Sequence, residues 1–312
     1  MRICSLLPSA TEIVFALGLG DSLVAVSHEC DFPAAARRLP KITRSNIPDG
    51  LSSGEIDRFV TSALADTGSL YTLDVDLLEK LAPDIVITQA LCDVCAVATD
   101  HLDEALASLS KRPRVVSLNA QSLEGILQDI QTAAAALGRP EQGVRLVARL
   151  RQRIDAVANK TRAVSHRPKV FCMEWVDPPY CGGHWMTELV EISGGRDDLA
   201  VRHKPSYRIE WQAVHQFAPE IIVLTCCGYD LERCTKEAKR LLDRPDTRML
   251  PAVCSGAVFA TDSSAYFARP GPRIVESVEI LAHIIHPELF APPKLPNAFC
   301  QVDLSEVAEA PL

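Results

Sequence analysis

One segment of the chain occurs twice. Leu81-Ala82-Pro83-Asp84-Ile85-Val86-Ile87-Thr88 follows Leu77-Leu78-Glu79-Lys80, and Phe217-Ala218-Pro219-Glu220-Ile221-Ile222-Val223-Leu224-Thr225 follows Ala213-Val214-His215-Gln216. Proline has no amide proton and biases the residue before it away from the helical region, so each copy reads as a helix end and a Pro-acid turn. The apolar run that follows is the pattern of a strand buried on both faces, as in a parallel sheet. A duplicated strand in 312 residues predicts two similar lobes whose loops face each other across a cleft.

The rest of the chain alternates in the same way. Residues 2–7 read as a buried strand, followed by Ser9-Ala10-Thr11-Glu12, which has the spacing of a capping box, and by a helix closed at Gly18 and Gly20. Ser52-Ser53-Gly54-Glu55 opens a second helix, and Asp74 caps a short one. Between residues 141 and 163, Val144, Val147, Leu150, Ile154 and Val157 recur at helical spacing with Arg and Lys between them. That predicts one helix of about 23 residues, roughly 35 Å long at 1.5 Å per residue. The expected class is α/β, with two lobes of mainly parallel sheet flanked by helices and one long rigid bridging helix. The expected boundaries are residues 1–139 and 167–290 for the lobes, 140–166 for the bridge, and 291–312 for a Pro-rich tail that drapes or frays.

Charge narrows the partners. A net charge of −8 excludes a basic nucleic-acid or anionic-membrane surface. No run approaches the roughly 20 apolar residues of a membrane-spanning helix, so no membrane insertion is expected. Met1-Arg2 leads directly into the first strand, leaving no room for a leader, and the cysteine count of 11 is odd. Together these favour a cytoplasmic protein with reduced thiols.

Ligands of open α/β sheets bind beyond the carboxyl ends of the strands. In the first half that selects Pro8, Ser9, His28, Glu29, Cys30 and Gln89, with Cys92 and Cys95 beyond the repeated strand. In the second half it selects Trp175, Tyr180, His184, Cys226, Cys227, Tyr229, Tyr266 and Arg269. Cys92-Asp93-Val94-Cys95 is half of a zinc site, a redox pair or two buried small hydrophobes. With Cys30, Cys226, Cys227 or His28 opposite, thiolates and imidazole would suit zinc, copper(I), iron or cobalt. His184 after two glycines is a ligand or a helix cap, and the aromatic residues stack a planar ligand or fill the core. The chain has no nucleophile elbow, zinc-protease motif, P-loop or dinucleotide fingerprint, so no enzyme is expected, although a redox role for the thiols stays open.

Four segments, taken in order, resemble a known family. Ser5-Leu6-Leu7-Pro8-Ser9-Ala10-Thr11-Glu12-Ile13-Val14-Phe15-Ala16-Leu17-Gly18 resembles the opening of the cobalamin- and iron-complex-binding proteins of ABC importers. Val26-Ser27-His28-Glu29-Cys30-Asp31-Phe32-Pro33 is similar to that family's segment after its second strand. The Leu81–Ile87 run resembles its leucine-x-proline-aspartate strand, and Arg269-Pro270-Gly271-Pro272-Arg273-Ile274-Val275 resembles the start of its last helix. The resemblance covers about residues 2–288. It implies non-catalytic binding of a corrinoid (cobalamin-like) or related metal complex between two lobes. It also implies an ABC permease as partner, docked through an acidic residue on each lobe, with Glu210 and Asp74 in the matching positions. Two departures accompany it: Glu29 stands where the family commonly has tyrosine, and the loops are rich in thiols. The alternative expectation is a cytosolic metal- or cofactor-handling protein with a Cys/His site for zinc, iron or an Fe–S cluster.

Overall fold

The computed structural model describes residues 1–66, 70–89 and 99–303. It divides into two compact units, Met1–Ala120 with Glu124–Arg149, and Gln121–Leu123 with Leu150–Leu312.

In the first unit the elements run β1 (Ile3–Ser5), α1 (Pro8–Ala16), β2 (Leu23–Val26), β3 (Thr43–Ser45), α2 (Ser53–Asp66), β4 (Tyr71–Leu73), α3 (Val75–Leu81), β5 (Ile85–Thr88), α4 (Thr99–Ser108), β6 (Arg114–Ser117), α5 (Leu123–Ala136) and the start of α6 (Pro140–Thr161). Strands β2-β1-β5-β6 form an all-parallel sheet, and β3-β4 is a separate antiparallel pair. β1 and β5 are wholly buried, as their unbroken apolar runs require. Cys4, Leu6, Ala25, Ile42, Leu78, Val86, Leu102 and Leu106 build one core on this sheet. Helix α6 has 22 residues; those through Arg149 group with the first unit and those from Leu150 with the second. Of its predicted stripe, Val147, Leu150, Ile154 and Val157 are buried while Val144 is exposed.

The second unit continues with β7 (Val170–Trp175), β8 (Tyr180–Cys181), α7 (Met186–Ile192), α8 (Trp211–Phe217), β9 (Ile221–Leu224), α9 (Leu231–Leu242), α10 (Pro251–Cys254), β10 (Val258–Thr261), α11 (Ile274–Ile285) and β11 (Phe299–Gln301). The sheet order is β11-β10-β9-β7-β8, with β7, β9 and β10 parallel and the two edge strands antiparallel. Phe171 and Met173 of β7 are among the largest fully buried side chains. Burial of such a side chain stabilises the fold by about 1.5–3 kcal/mol.

The sequence repeat is a repeat of atoms. Ala82 and Ala218 end α3 and α8 in the left-handed region, at φ 41° and 50°. Asp84 Oδ2 accepts the amide of Arg2, and Glu220 Oε2 accepts the amide of Lys169. In return the Asp84 and Glu220 amides donate to the carbonyls of Arg2 and Lys169. The Arg2 guanidinium caps the carbonyl of Leu81, and the Lys169 ammonium caps that of Phe217. Each Pro-acid turn thus sets the register of its strand against the neighbouring parallel strand, Ile85 beside Ile3 and Ile221 beside Val170.

Two local readings change. Ser9 does not cap α1: Leu7 holds the cap position, Pro8 fills the first turn, and Ser9, Thr11 and Glu12 are buried. Proline's preset φ and missing amide make it a better first-turn residue than a serine that must stay outside the helix. The capping box lies instead at α2, where the Ser52 amide and hydroxyl both donate to Glu55 Oε2, at 2.8 and 2.6 Å. The expected loose tail also contains a strand, since β11 pairs antiparallel with β10 along Phe259, Ala260 and Thr261.

Candidate functional site

Parallel strands place their carboxyl ends on one edge of a sheet, and the candidate residues lie in the segments that follow those ends. In the first unit β1 leads to Pro8 and Ser9, β2 to His28, Glu29 and Cys30, and β5 to Gln89. Ser9, Cys30 and Gln89 are buried, Pro8 and His28 half-buried, and Glu29 is exposed. His28 Nδ1 lies 2.7 Å from the Thr43 hydroxyl, and the imidazole leans on Tyr71 with centroids 5.4 Å apart. Its Nε2 is 3.5 Å from Glu29 Oε1. Burial lowers the His28 pKa against the pull of the Glu29 carboxylate, so the ring is neutral near pH 7.

The Cys30 thiol belongs to a polar chain. Ser5 donates to the Leu7 carbonyl, and Thr11 donates to Ser5. Thr11 Oγ1 is also 3.1 Å from Cys30 Sγ, which is 3.2 Å from Ser27 Oγ. Thr11 is the donor toward Cys30 as well, its one proton shared between Ser5 and the thiol sulfur. Burial raises the Cys30 pKa, in agreement with a protonated thiol that joins α1 to the loop after β2.

In the second unit Trp175 ends β7 and packs on Tyr229 at 5.0 Å, while the Arg233 guanidinium covers the other ring at 3.9 Å. Tyr229 is buried, and burial raises its phenol pKa. Tyr266 and Arg269, beyond β10, are buried too, and Arg273 lies 5.3 Å over the Tyr266 ring. Trp175, Tyr180 and His184 are half-buried. The His184 ring stacks on Trp185, its Nδ1 is buried without a hydrogen-bond partner, and burial lowers its pKa. Trp185 itself is an anchor, buried with its indole N–H on the Phe267 carbonyl. His184 takes neither the cap position of α7, which Trp185 holds, nor any capping bond.

Residues 197–208 form a strap over these loops that the sequence reading missed. The His184 amide donates to the Lys204 carbonyl at 2.6 Å, and His203 donates back to the His184 carbonyl. Cys181 donates to Tyr207, and Ile209 to Pro179. Gly183 passes so close beneath the strap that a methyl group there would meet the Ser206 nitrogen at 2.2 Å. Its amide donates to Glu174, a carboxyl whose pKa burial raises. At the root of the strap Asp197 is buried. Its Oδ1 accepts the Leu199 amide, Oδ2 has no hydrogen-bond partner, and burial pushes its pKa up to about 7. Nothing in the run Gly195-Arg196-Asp197-Asp198 signals that one of two adjacent aspartates is inside.

The thiols proposed from sequence as metal ligands divide. Cys92 and Cys95 lie outside the described residues. Cys226 is fully buried, with its pKa raised first by a hydrogen bond to Cys234 and then by burial, whereas Cys227 is half-buried. Among the described residues no group of three or more His, Cys, Asp and Glu side chains is placed to hold a metal ion. The two acidic residues expected to dock occupy matched positions, each preceding its repeat helix: Asp74 caps α3 through the Leu77 amide at 2.9 Å, while Glu210 precedes α8 exposed and without a side-chain cap.

Two α/β units, each built on a mainly parallel sheet, are the architecture of a binding-protein fold. The chain belongs to the periplasmic binding protein family, whose model matches residues 3–265. It is 25% identical over 282 residues to the vitamin B12-binding protein of Vibrio cholerae serotype O1, covering 89% of this chain and 86% of the relative. It is 25% identical over 296 residues to an uncharacterized ABC transporter substrate-binding lipoprotein of Bacillus subtilis, covering 93% and 81%. Among solved structures, the periplasmic heme-binding protein RhuT from Roseiflexus sp. RS-1 superimposes with a TM-score of 0.71 at 22% identity, over 92% of this chain and 98% of that one. These findings correct the cytoplasmic expectation, which rested on the absence of a visible leader. The family is one of periplasmic proteins, and the relatives include a lipoprotein and a periplasmic protein. The alternative of a cytosolic metal or Fe–S protein loses its basis with it. No helix among the described residues is long and apolar enough to cross a membrane.

Proposed function

We propose that this chain is the substrate-binding component of an ABC importer, that it works outside the cytoplasm, and that its cargo is a cobalamin-like corrinoid or a closely related metal macrocycle. The similarity to the vitamin B12-binding protein of Vibrio cholerae over 89% of the chain carries the reading. The side chains support it. Trp175 and Tyr180 are half-buried rings at strand ends, suited to the face or edge of a large planar ligand. His28 and His184 are kept neutral by burial, so an imidazole lone pair is available to the ligand's metal centre. Pro8, Ser9, Glu29, Gln89, Tyr229, Tyr266 and Arg269 complete the proposed contacts directly or by holding the loops. Binding of this kind involves no catalysis. The partner is a permease, met through Glu210 and Asp74.

The test is a spectroscopic titration with aquocobalamin, with haemin and a ferric siderophore as comparison ligands. Aquocobalamin is expected to quench Trp175 fluorescence at a one-to-one endpoint, and His184→Ala to weaken that binding at least 10-fold, about 1.4 kcal/mol. Quenching by none of the three ligands would overturn the reading. Quenching by haemin alone would replace the corrinoid by a porphyrin.

A further inference from the structure

His184 and His203 both hold a left-handed φ, at 54° and 62°, where a β-carbon is unfavourable. Such a conformation persists only where surrounding contacts impose it. The strap supplies them. The His203 amide donates to the His184 carbonyl at 3.1 Å, and the His184 amide donates to the Lys204 carbonyl at 2.6 Å. Both backbone polar groups of His184 are thus taken up by the strap. Its side chain adds no such tie: Nδ1 is buried without a partner, and the ring stacks on Trp185 with centroids 5.5 Å apart. The strap closes on itself where the Tyr207 hydroxyl donates to the Leu199 carbonyl at 2.6 Å and the Lys204 amide to the Val201 carbonyl at 3.1 Å. Two side chains fasten it to α7. Arg202 pairs with Glu191, and His203 Nε2 stands 3.2 Å from Glu188 Oε1. The Glu188 side chain is 16% exposed against 42% for Glu191, so water screens its contact less. Glu188 is also held from its other side, where Oε2 accepts the Leu123 amide at 2.7 Å. His203 therefore links a fixed carboxylate on α7 to the bonds that set His184.

We propose that His203 is a positioning residue of the cargo site: through the strap it holds His184 in its left-handed conformation and so fixes where the His184 imidazole stands for the cargo. The proposal rests on the reading of His184 as a cargo contact. Without the Glu188 contact the strap is released at His203, and its two bonds to His184 loosen. His184 then returns to the negative φ that its β-carbon favours, a turn of roughly 120° that redirects the side chain. The imidazole is presented to the cargo only while the strap is fastened. Preorganisation of this kind strengthens binding by removing the cost of ordering the contact when the ligand arrives.

Two measurements on the full-length protein test this. Amide hydrogen exchange followed by NMR, without ligand, should find the His184 amide protected in the wild type and about 10-fold faster in His203→Ala. His203→Gln should keep the protection, because its side-chain amide can donate to Glu188 in place of Nε2. In the aquocobalamin titration His203→Ala should weaken binding about 5-fold and His203→Gln less than about 2-fold; in a His184→Ala background His203→Ala should add less than about 2-fold, since the two residues act as one. Unchanged exchange at His184 in His203→Ala would overturn the proposal, and so would losses that multiply in the double variant, which a merely structural strap would give. Should His203→Ala fail to fold, Glu188→Ala, which removes the same contact from α7, is read in its place. If the wild type binds none of aquocobalamin, haemin and the ferric siderophore, the cargo reading falls, and the exchange result still decides whether His203 holds His184. If the wild type binds aquocobalamin and His184 exchange ignores His203, the cargo reading stands and the positioning role falls.

Discussion

Replacing Gly183 with alanine probes the strap over the second unit's strand ends. The added methyl would stand 2.2 Å from the Ser206 nitrogen, 2.9 Å from the Pro205 carbonyl carbon and 3.0 Å from the Ser206 α-carbon. All three are backbone atoms, so no rotamer change relieves the overlap, and the strap has to move by about 1 Å to restore normal contact. The nearest bonds, His184 to Lys204 and His203 to His184, do not survive such a shift. Two hydrogen bonds at about 1 kcal/mol each, with residual overpacking, place the cost at about 2–3 kcal/mol. Gly182→Ala is the internal control, because its methyl meets chiefly the Met186 side chain, at 2.9 and 3.2 Å, which can yield. Urea unfolding is expected to show Gly183→Ala less stable by that amount with an unchanged slope, and Gly182→Ala clearly milder. Faster proteolysis within residues 198–206 should accompany the loss. A Gly183→Ala protein within 0.5 kcal/mol of wild type would refute the strap's position.

Ala82→Gly and Ala218→Gly are each expected to raise stability by about 0.5–1 kcal/mol, because both alanines hold a left-handed φ that glycine adopts without strain; the two effects should add in a double variant. The folded-state pKa of Asp197, about 7, lies above its ordinary value of 3.8. The associated stability is therefore complete below pH 4 and is lost as pH rises through 7. Urea midpoints at pH 5 and 8 should show the wild type weaker at pH 8 by on the order of 2–4 kcal/mol, and Asp197→Asn should remove most of that difference. Asp74→Ala is expected to cost about 1 kcal/mol as a lost cap, and Glu210→Ala less than 0.5 kcal/mol, with both weakening pull-down of the proposed permease.

The duplicated strand made the architecture legible, because a Pro-acid turn before an apolar run has one efficient use, and the structure uses it twice with the same bonds. The pieces that stayed hidden are short. β3, β4 and β11 have three residues each and β8 two, too few for a period to show. Their partners are fixed by tertiary pairing, as when Tyr180 bridges to Arg208 from the strap. The candidate residues were found by the strand-end rule, but their roles were not. Tyr229 and Arg269 are buried. The cytoplasmic expectation failed for a different reason: a sequence without a visible leader says nothing of what precedes it in the cell.

Isothermal titration of the purified chain with cyanocobalamin, whose cobalt already holds its upper ligand, decides whether this binding-protein fold carries a corrinoid. Saturable heat is expected at one ligand per chain with a dissociation constant of about 1 μM or tighter, near −8 kcal/mol. No heat at protein concentrations of about 100 μM, from a sample whose thermal unfolding shows it folded, would rule out a corrinoid cargo.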